Sequence, residues 1–475
     1  MNARLDRIPH SNETPTVLPE NPDLETLRRL EAEYCSFGDT VHYLAEPTYF
    51  TDCEGSFLRD HEGRSFLDLQ MWYSAVNFGY RNPRLDAAMA RQMQRMPQLA
   101  SQYLHSSKVE LAAMIARGMQ QRFGRKGRVH FNVGGSQAVE DSLKLVRNAS
   151  GGRSLMFAFE GGYHGRTLGA SAITSSYRYR RRFGHFGERA CFIEYPYHFR
   201  GPKGMSKEEY GSHCVRQFER LFDTEYNGVW DPKAKQAEFA AFYVEPVQGT
   251  GGYVIPPPNF FIELKKVLDR HGILLVVDEI QMGFYRTGKL WSIEHFGVEP
   301  DVLVFGKALT NGLNPLSGLW AREELINPVV FPPGSTHSTF ASNPLGTAVG
   351  LETMRMIEEK DYGAMVMRKG AYFLEGLRDL QKRWPQIGDV DGLGLALRCE
   401  ICESDGFTPN KALLDKMVEE GMKGDIQIGD RRLGLILDVG GYHKNVITLA
   451  PSLEITTAEI DLALRLLDAL LRRCV

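Results

Sequence analysis

The sequence predicts an α/β protein with a mostly parallel central sheet and helices on both faces. Two runs of aliphatic and aromatic residues, 273–277 and 302–305, contain no polar residue, as is typical of strands that are covered on both faces. Between about residues 130 and 320, such runs alternate with helical patterns, which is the order that a parallel sheet requires. The 475 residues exceed what one hydrophobic core usually holds, so a smaller second domain is expected.

Three segments are expected to make up the two domains. Residues 1–75 are predicted to form an N-terminal arm with one helix and part of the small domain, and residues 76–335 the large domain. Residues 336–475 mix helices with alternating strands and suit the rest of a small α+β domain. Trp72 and Tyr73 follow a hairpin-rich segment of the first part. These adjacent aromatic residues either pack in the core or form a wall of a substrate pocket.

The composition is that of a soluble globular protein. Hydrophobic residues make up 43% of the chain and charged residues 24%, with a formal net charge of -3, so nothing indicates nucleic acid as a partner. The first 25 residues are polar and Pro-rich, and no run of about 18 apolar residues occurs. Neither a secretory signal nor a membrane span is therefore expected, and the expected location is the cytoplasm.

The seven cysteines are odd in number and scattered through a long chain, which argues against a disulfide framework. Cys399 and Cys402 form a CxxC pattern, but they lie in a segment that resembles a strand and have no second CxxC or histidine nearby. Two packed thiols are the expected interpretation, and no metal site is expected.

A glycine pair between a predicted strand and a predicted helix is a candidate anion site. Gly134, Gly135 and Ser136 follow a short apolar run, and the helix begins near Gln137. Glycines at this place let backbone N–H groups approach an anion, and the helix dipole favours negative charge there. Neither the P-loop pattern nor the dinucleotide fingerprint is present. An ordinary turn at the start of a helix remains the alternative.

The next predicted strand is followed by aromatic side chains among glycines. Tyr163 or His164 could stack on a flat ligand, or could simply fill local space. The basic run 177–182 is expected to be an exposed helix face, because the chain is slightly acidic overall. Glu245 interrupts a further apolar run just before a glycine-rich turn.

An aspartate and a lysine follow the two apolar runs 273–277 and 302–305. Asp278 directly follows one run, and Lys307 lies two residues past the other. Because ligands bind at the carboxyl ends of parallel strands, both side chains are expected in one crevice. A lysine in an apolar site loses its proton easily and can form a Schiff base with an aldehyde, while a carboxylate can keep a pyridine nitrogen protonated. This partnership is expected for pyridoxal phosphate (PLP); a helix cap and a surface lysine are the alternative.

Six motifs, taken in order, resemble the class III PLP-dependent aminotransferases of fold type I, the 4-aminobutyrate and ornithine type. The resemblance runs from about residue 45 to the C-terminus. It implies an enzyme that moves an amino group from an amine or (ω-)amino acid to a keto acid or aldehyde through a Schiff base on Lys307, in a homodimer with shared sites. The motifs are GGSQAVEDSLKLVR, EGGYHGRT, VEPVQGTGG, VVDEIQMGFYRTG, FGKALTNGLNPLSG and STFASNPL.

The resemblance also implies roles for individual residues. Lys307 would carry PLP and move a proton between the substrate Cα and the cofactor, and Asp278 would pair with the pyridinium nitrogen. The other implied cofactor contacts are Gly135 and Ser136 at the phosphate, Ile280 and Tyr163 on the two ring faces, Gln281 near the ring hydroxyl, His164 and Glu245 in supporting positions, and Thr339 at the phosphate of the other subunit.

Two departures from the family pattern concern the substrate. Many relatives that use glutamate have a glutamate where this chain has Thr250, and an arginine where it has Thr448. In those relatives the arginine clamps the substrate carboxylate, and the glutamate pairs with the arginine when another substrate binds. Losing only one partner would leave a buried charge at a cost of about 3–5 kcal/mol, so the loss of both is coherent.

The site is therefore expected to work without this Glu/Arg device. A pyruvate-like acceptor, an amine or ω-amino donor, or a substrate held by another cation among Arg178–Arg182 would fit, with Trp72, Tyr73, Thr250 and Thr448 as pocket residues. Two other functions stay open on the sequence. Some proteins of this fold are amino-acid racemases or epimerases, and a non-catalytic ligand-binding protein could keep the fold.

Overall fold

The computed structural model describes residues 23–38, 44, 47–180, 183 and 190–475. Helices and strands alternate through the middle of the chain, as the sequence predicts. The α-helices of eight or more residues are Leu24–Tyr34, Pro83–Arg95, Ser106–Phe123, Gly135–Ala149, Lys207–Glu219, Phe260–His271, Pro344–Glu359, Tyr362–Arg383, Lys411–Gly421 and Thr457–Cys474. A shorter helix spans Leu168–Ala172, and short 3-10 turns span Tyr177–Tyr179, His198–Arg200, Arg220–Phe222, Glu225–Asn227, Ser292–Phe296 and Lys307–Thr310.

A seven-stranded sheet forms the centre of the larger part of the chain. Strand Ser317–Arg322 runs antiparallel to both of its neighbours, and the other pairs in this sheet are parallel. This arrangement agrees with the mostly parallel sheet predicted from the sequence. The order across the sheet is Gly127–Asn132, Ser317–Arg322, Val302–Phe305, Leu274–Asp278, Phe239–Val244, Leu155–Phe159 and Ala190–Ile193.

Both faces of this sheet are covered, which explains why its strands read as unbroken apolar runs. Alternate residues along each strand point to opposite faces. Val276 and Val302 pack in one buried cluster with side chains of helix Gly135–Ala149. Their neighbours Leu275 and Leu303 pack in a second cluster, which includes side chains of helix Phe260–His271. The double burial fixes the register of the strands and therefore the position of the polar groups at their ends.

Two smaller sheets lie outside the large one and involve both terminal parts of the chain. The first has the order Phe50–Glu54, Phe57–Asp60, Ser65–Asp68, Arg431–Ile436 and Ile426–Ile428, so it joins N-terminal and C-terminal segments. The second has the order Ile387–Leu393, Ala396–Ile401, Val446–Leu449 and Asp438–Gly440. A separate two-stranded ribbon pairs Trp230–Asp231 with Gln236–Ala237. The domain limits at residues 75 and 335 stay predictions.

The described part of the N-terminal 51 residues contains the single helix that was predicted there. Helix Leu24–Tyr34 begins after Asp23, whose side chain accepts a hydrogen bond from the backbone N–H of Thr26. Within the described ranges, no helix is both long and apolar enough to cross a membrane. The same ranges hold no cluster of three or more metal-ligating side chains. Cys399 and Cys402 are buried free thiols, as expected.

Candidate active site

Asp278 and Lys307 meet at the same edge of the large sheet. Asp278 ends its strand and lies opposite Val304 in the neighbouring parallel strand, and Lys307 follows three residues later. Both side chains line one cavity of about 290 Å³. The cavity also contains most of the other residues singled out in the sequence: Trp72, Gly135, Ser136, Tyr163, His164, Glu245, Ile280 and Gln281.

The backbone of Lys307 has a conformation that residues other than glycine rarely adopt. Its φ is 42°, in the left-handed region, at the start of the short turn Lys307–Thr310. Such strain persists only where the surrounding structure imposes it, and it is common at functional sites. Burial lowers the pKa of the Lys307 amine, although the charges of Asp278, Glu245 and Asp438 oppose this effect. The amine is thereby poised to lose a proton and act as a nucleophile or base.

Asp278 is held by a buried histidine. His164 Nδ1 lies 2.9 Å from Asp278 Oδ2, and both side chains are at most 5% exposed. The other carboxylate oxygen accepts a hydrogen bond of 3.0 Å from the backbone N–H of Ile280. Burial alone would lower the pKa of His164, but the hydrogen bond and the charge of Asp278 outweigh it and raise that pKa. The His164 ring therefore contacts Asp278 and fixes the orientation of its carboxylate.

Glu245 is a buried carboxyl group with an unsatisfied oxygen. Its Oε2 has no hydrogen-bond partner among the described residues, and the residue is 7% exposed. Burial raises the pKa of Glu245 to about 8, against the opposing charges of His164 and Lys307. At pH 7 this side chain is therefore mostly protonated and can donate a hydrogen bond.

The glycine pair forms an open cradle at the start of helix Gly135–Ala149. Gly134 is the N-cap residue of this helix. Among the described residues, no capping side chain accepts a hydrogen bond from the first backbone N–H groups of the helix. A Cβ atom at Gly135 would lie 2.8 Å from Ile280 Cδ1. A Cβ at Gly165, where φ is +127°, would collide with the Ser136 hydroxyl, which accepts a hydrogen bond from the Arg166 N–H. Backbone and hydroxyl groups therefore converge here with no room for side chains, as an anion site requires.

Tyr163 and Gln281 line the cavity, as the sequence indicated. The Tyr163 ring meets Tyr179 edge to face at 5.3 Å, and the Arg166 guanidinium lies 5.8 Å from the Tyr163 ring centroid. The side-chain amide of Gln281 donates a hydrogen bond of 3.0 Å to the hydroxyl of Tyr253. Tyr163 is thus fixed by its neighbours at the wall of the cavity.

Trp72 and Tyr73 belong to a single left-handed turn, Met71–Ser74, in which φ is 45°, 52°, 56° and 63°. Four successive residues in this region are costly, because Cβ clashes disfavour it. The turn places Trp72 in the cavity wall, where its side chain is 56% exposed. Tyr73 is not among the lining residues.

The two threonines are placed differently. Thr448 is buried, and its hydroxyl donates a hydrogen bond of 2.8 Å to Asp438 Oδ2. Thr250 lies in the glycine-rich turn, and its carbonyl accepts a hydrogen bond from the Gly441 N–H. Neither is among the residues that line the cavity.

Among the described residues, neither Arg178 nor Arg180 of the proposed cation run nor Thr339 lines this cavity. Arg180 donates a hydrogen bond to the Ser175 carbonyl and stacks on Phe192, while Arg181 and Arg182 lie outside the described residues. Thr339 is exposed and does not line the cavity of the single chain. A contribution of Thr339 to another subunit stays a prediction.

Sequence reasoning missed Asp438, Ser317 and Arg166. Ser317 lies in the antiparallel strand and lines the cavity with a buried hydroxyl that has no partner among the described residues. Arg166 is part of the EGGYHGRT motif, so its position beside Tyr163 could have been found from that motif. Asp438 had no such signal, because its partner Gln70 is 368 positions away.

Comparisons with known proteins identify the family of this chain. Residues 41–471 match the family described as Aminotransferase class-III. The chain is 33% identical over 416 residues to an alanine/serine racemase of Pyrococcus horikoshii. This match covers 87% of this chain and 83% of that protein. It is 30% identical over 424 residues to the 5-aminovalerate aminotransferase DavT of Pseudomonas putida. That match covers 89% of this chain and 93% of that protein. A solved amine transaminase from an uncultivated Pseudomonas species, in its PLP-bound form, superposes with a TM-score of 0.80 at 26% identity, covering 98% of this chain and 99% of that one.

Proposed function

This chain belongs to the class-III aminotransferases, PLP-dependent enzymes of fold type I, and we propose that Lys307 is its cofactor-binding lysine. The enzyme transfers an amino group from an amine donor to a keto-acid acceptor. One observation carries the assignment of residues. The Lys307 amine, whose pKa is lowered by burial, shares a cavity with the Asp278 carboxylate at the edge of the parallel sheet.

The described residues fit PLP. The uncapped start of helix Gly135–Ala149 offers backbone amides and the Ser136 hydroxyl for a phosphate group. Asp278 offers a carboxylate for the ring nitrogen, and two buried polar atoms without partners among the described residues, Glu245 Oε2 and Ser317 Oγ, belong to residues that line the cavity. Bound PLP supplies an aldehyde for the donor amine and a ring that stabilises negative charge at the donor carbon.

The side chains around that group have distinct tasks. Lys307 accepts and returns the proton at the donor carbon, and burial, which lowers the pKa of its amine, favours the neutral form that this work needs. His164 holds Asp278 in place through their hydrogen bond, and the same bond and the charge of Asp278 raise the pKa of His164. Tyr163 and Ile280 line the cavity and are assigned to the two faces of the ring.

The substrates we propose differ from those of relatives with the Glu/Arg device. Thr448 offers no positive charge, and its hydroxyl is bonded to Asp438. The acceptor is a short keto acid of the pyruvate type, whose carboxylate is held by a cation such as Arg166, beside Tyr163. The donor is an amine without an α-carboxylate, in line with the aminovalerate relative and the solved amine transaminase.

A racemase is the second candidate, because one relative is named an alanine/serine racemase. Proton removal at the donor carbon is common to both reactions, and they differ in where the proton returns. Incubation of the PLP-loaded enzyme with single amino acids, with and without a keto acid, separates them. Inversion without an acceptor would indicate a racemase, whereas transfer that requires the acceptor indicates an aminotransferase.

Assembly and location are also proposals. A homodimer in which Thr339 reaches the phosphate of the partner subunit would give a function to the exposed loop that carries Thr339. Sedimentation of the wild-type protein and PLP titration of Thr339→Ala test it; a monomer, or unchanged affinity in an intact dimer, would contradict it. The cytoplasmic location expected from the sequence is tested by cell fractionation.

The experiment for the main proposal compares the wild type with Lys307→Ala after reconstitution with PLP. The wild type should become coloured, and borohydride should fix the cofactor to the peptide that contains Lys307. Lys307→Ala should retain no fixed cofactor and lose about 100- to 10,000-fold in transfer rate, the usual contribution of a general base. Lys289→Ala is the matched control, since Lys289 is an exposed lysine of the same stretch. A fixed cofactor in Lys307→Ala would contradict the assignment.

A further inference from the structure

Ser317 carries a buried hydroxyl group that no described residue satisfies. The residue is 1% exposed, and Ser317 Oγ has no hydrogen-bond partner among the described residues. Ser317 lines the same cavity as Lys307 and the start of helix Gly135–Ala149, which we call the cradle helix. An unpaired buried hydroxyl destabilises the folded protein, so a ligand that accepts a hydrogen bond from it gains affinity.

The Ser317 side chain lies on the face of the large sheet that the cradle helix covers. Side chains two residues apart in a strand point to the same face, and Leu319 and Ala321 pack in one buried cluster with side chains of this helix. Asn132, directly opposite Ser317 in the neighbouring strand, donates a side-chain hydrogen bond to Asp141 of the helix. The Ser317 hydroxyl is therefore on the helix side of the sheet.

Ser317 also lies at the end of the sheet where the cradle helix begins. Its strand starts where the parallel strand before Lys307 ends, since Gly318 pairs with Phe305. A Cβ atom added to Gly306 would lie 3.1 Å from Ser317 Cβ, so Ser317 packs beside the residue that precedes Lys307. The strand on the other side ends two residues before the N-cap of the cradle helix. Ser317 therefore lies between the strands that lead to Lys307 and to the cradle helix.

The cavity offers few positive charges to an anion. Among its described lining residues, Lys307 is the only lysine or arginine, and its amine is assigned to the aldehyde of the cofactor. A phosphate group at the start of the cradle helix must therefore rely on neutral donors, which are backbone N–H groups and hydroxyls. The Ser136 hydroxyl accepts a hydrogen bond from the Arg166 N–H, which leaves its own proton available, and the Ser317 hydroxyl offers a second proton.

We propose that the Ser317 hydroxyl donates a hydrogen bond to the phosphate group of PLP, in addition to the contacts assigned to Gly135 and Ser136. This inference rests on the proposed function, which assigns the cavity to PLP with its aldehyde at Lys307. The cradle helix contacts the phosphate from one side and the sheet contacts it from the other. Because Ser317 belongs to a buried strand, its hydroxyl fixes the phosphate end of the cofactor relative to Lys307.

Titration of the cofactor-free protein with PLP and with pyridoxal, which lacks the phosphate, tests this contact. The wild type should bind PLP much more tightly than pyridoxal. Ser317→Ala removes only the hydroxyl. It should weaken PLP binding about 10- to 100-fold, the usual range for a hydrogen bond to a charged group, and change the affinity for pyridoxal by less than about twofold. Ser317→Cys replaces the hydroxyl by a weak donor and should show a smaller loss for PLP alone, which keeps the test decisive if Ser317→Ala does not fold.

Ser142→Ala is the matched control. Ser142 is a buried serine of the cradle helix that does not line the cavity, and its hydroxyl donates to the Val139 carbonyl and lies 2.9 Å from the Tyr243 hydroxyl. This variant should have a lower Tm and leave both affinities within about twofold of the wild type.

Two results for Ser317→Ala would overturn the inference alone. The first is an unchanged affinity for PLP, which is expected if the hydroxyl serves only the Asn132 side-chain oxygen, itself without a partner among the described residues. The second is an equal loss for PLP and pyridoxal. A wild type that forms no borohydride-fixed adduct at Lys307 with either compound would overturn the proposed function as well.

Discussion

Replacing Glu245 by glutamine should remove a pH-dependent loss of stability. Burial raises the pKa of Glu245 to about 8, compared with an ordinary value of 4.5. The folded state therefore holds a proton that the unfolded chain releases. The stabilisation from this proton is fully present below pH 4.5 and is lost as the pH rises to about 8.

The size of the effect follows from the two pKa values. Each pH unit between them contributes about 1.4 kcal/mol, so the wild type should lose about 2–3 kcal/mol between pH 6 and pH 8 through Glu245. With an unfolding entropy of about 2 cal/mol/K per residue, this loss corresponds to about 3 °C in Tm for a chain of this length. Glutamine keeps the shape and a hydrogen-bond donor but has no proton to lose.

The assay is thermal unfolding of the cofactor-free protein at pH 6, 7 and 8, since PLP would change the charges around Glu245. The Tm difference between wild type and Glu245→Gln should shift by about 3 °C in favour of the variant over this range. Burial raises the pKa of Glu279 to about 8 as well, but this titration is common to both proteins and cancels. Glu238→Gln, at an exposed position before the same strand, is the control. Parallel pH curves for wild type and Glu245→Gln would refute the reasoning.

Two further predictions concern the cofactor cradle. His164→Leu removes the hydrogen-bond partner of Asp278 and should weaken PLP binding about 10- to 100-fold in a titration of the cofactor-free protein. His164→Asn should recover part of this affinity. Equal affinity in the wild type and both variants would show that Asp278 needs no partner. Gly165→Ala should lower Tm and PLP affinity because the added Cβ meets the Ser136 hydroxyl. Gly204→Ala is the control: its Cβ would have no atom within 4 Å, so it carries only the backbone cost of its φ of +91°. Similar losses in both variants would mean that the backbone φ alone matters.

The sequence predicted the strand ends well because burial on both faces leaves a simple signal. Asp278 and Lys307 could be placed at one sheet edge since each follows an apolar run and parallel strands share their direction. The glycine cradle was also predictable, because only glycine fits where a Cβ would meet Ile280 or Ser136. These features depend on residues close to each other in sequence.

The left-handed turn Met71–Ser74 could not be predicted in the same way. Such conformations are usually marked by glycine or asparagine, and this turn contains neither. Its conformation is set by distant contacts: Asp68 accepts hydrogen bonds from the Gln70 and Met71 amides, and Gln70 contacts Asp438. For His164 the sequence likewise left stacking on a flat ligand and local space filling open, because it does not show that the ring turns toward Asp278.

The three carboxyl groups that act on Lys307 differ mainly in their partners. Asp278 has a histidine beside it, within hydrogen-bond distance of one carboxylate oxygen. Glu245 has an unsatisfied oxygen and stays protonated near pH 7. Asp438 accepts hydrogen bonds from Thr448 and Gln70, and burial raises its pKa. Asp278 ends a strand of the large sheet, whereas Asp438 and Thr448 lie in a separate four-stranded sheet. The Lys307 amine is therefore under the influence of carboxyl groups from both sheets.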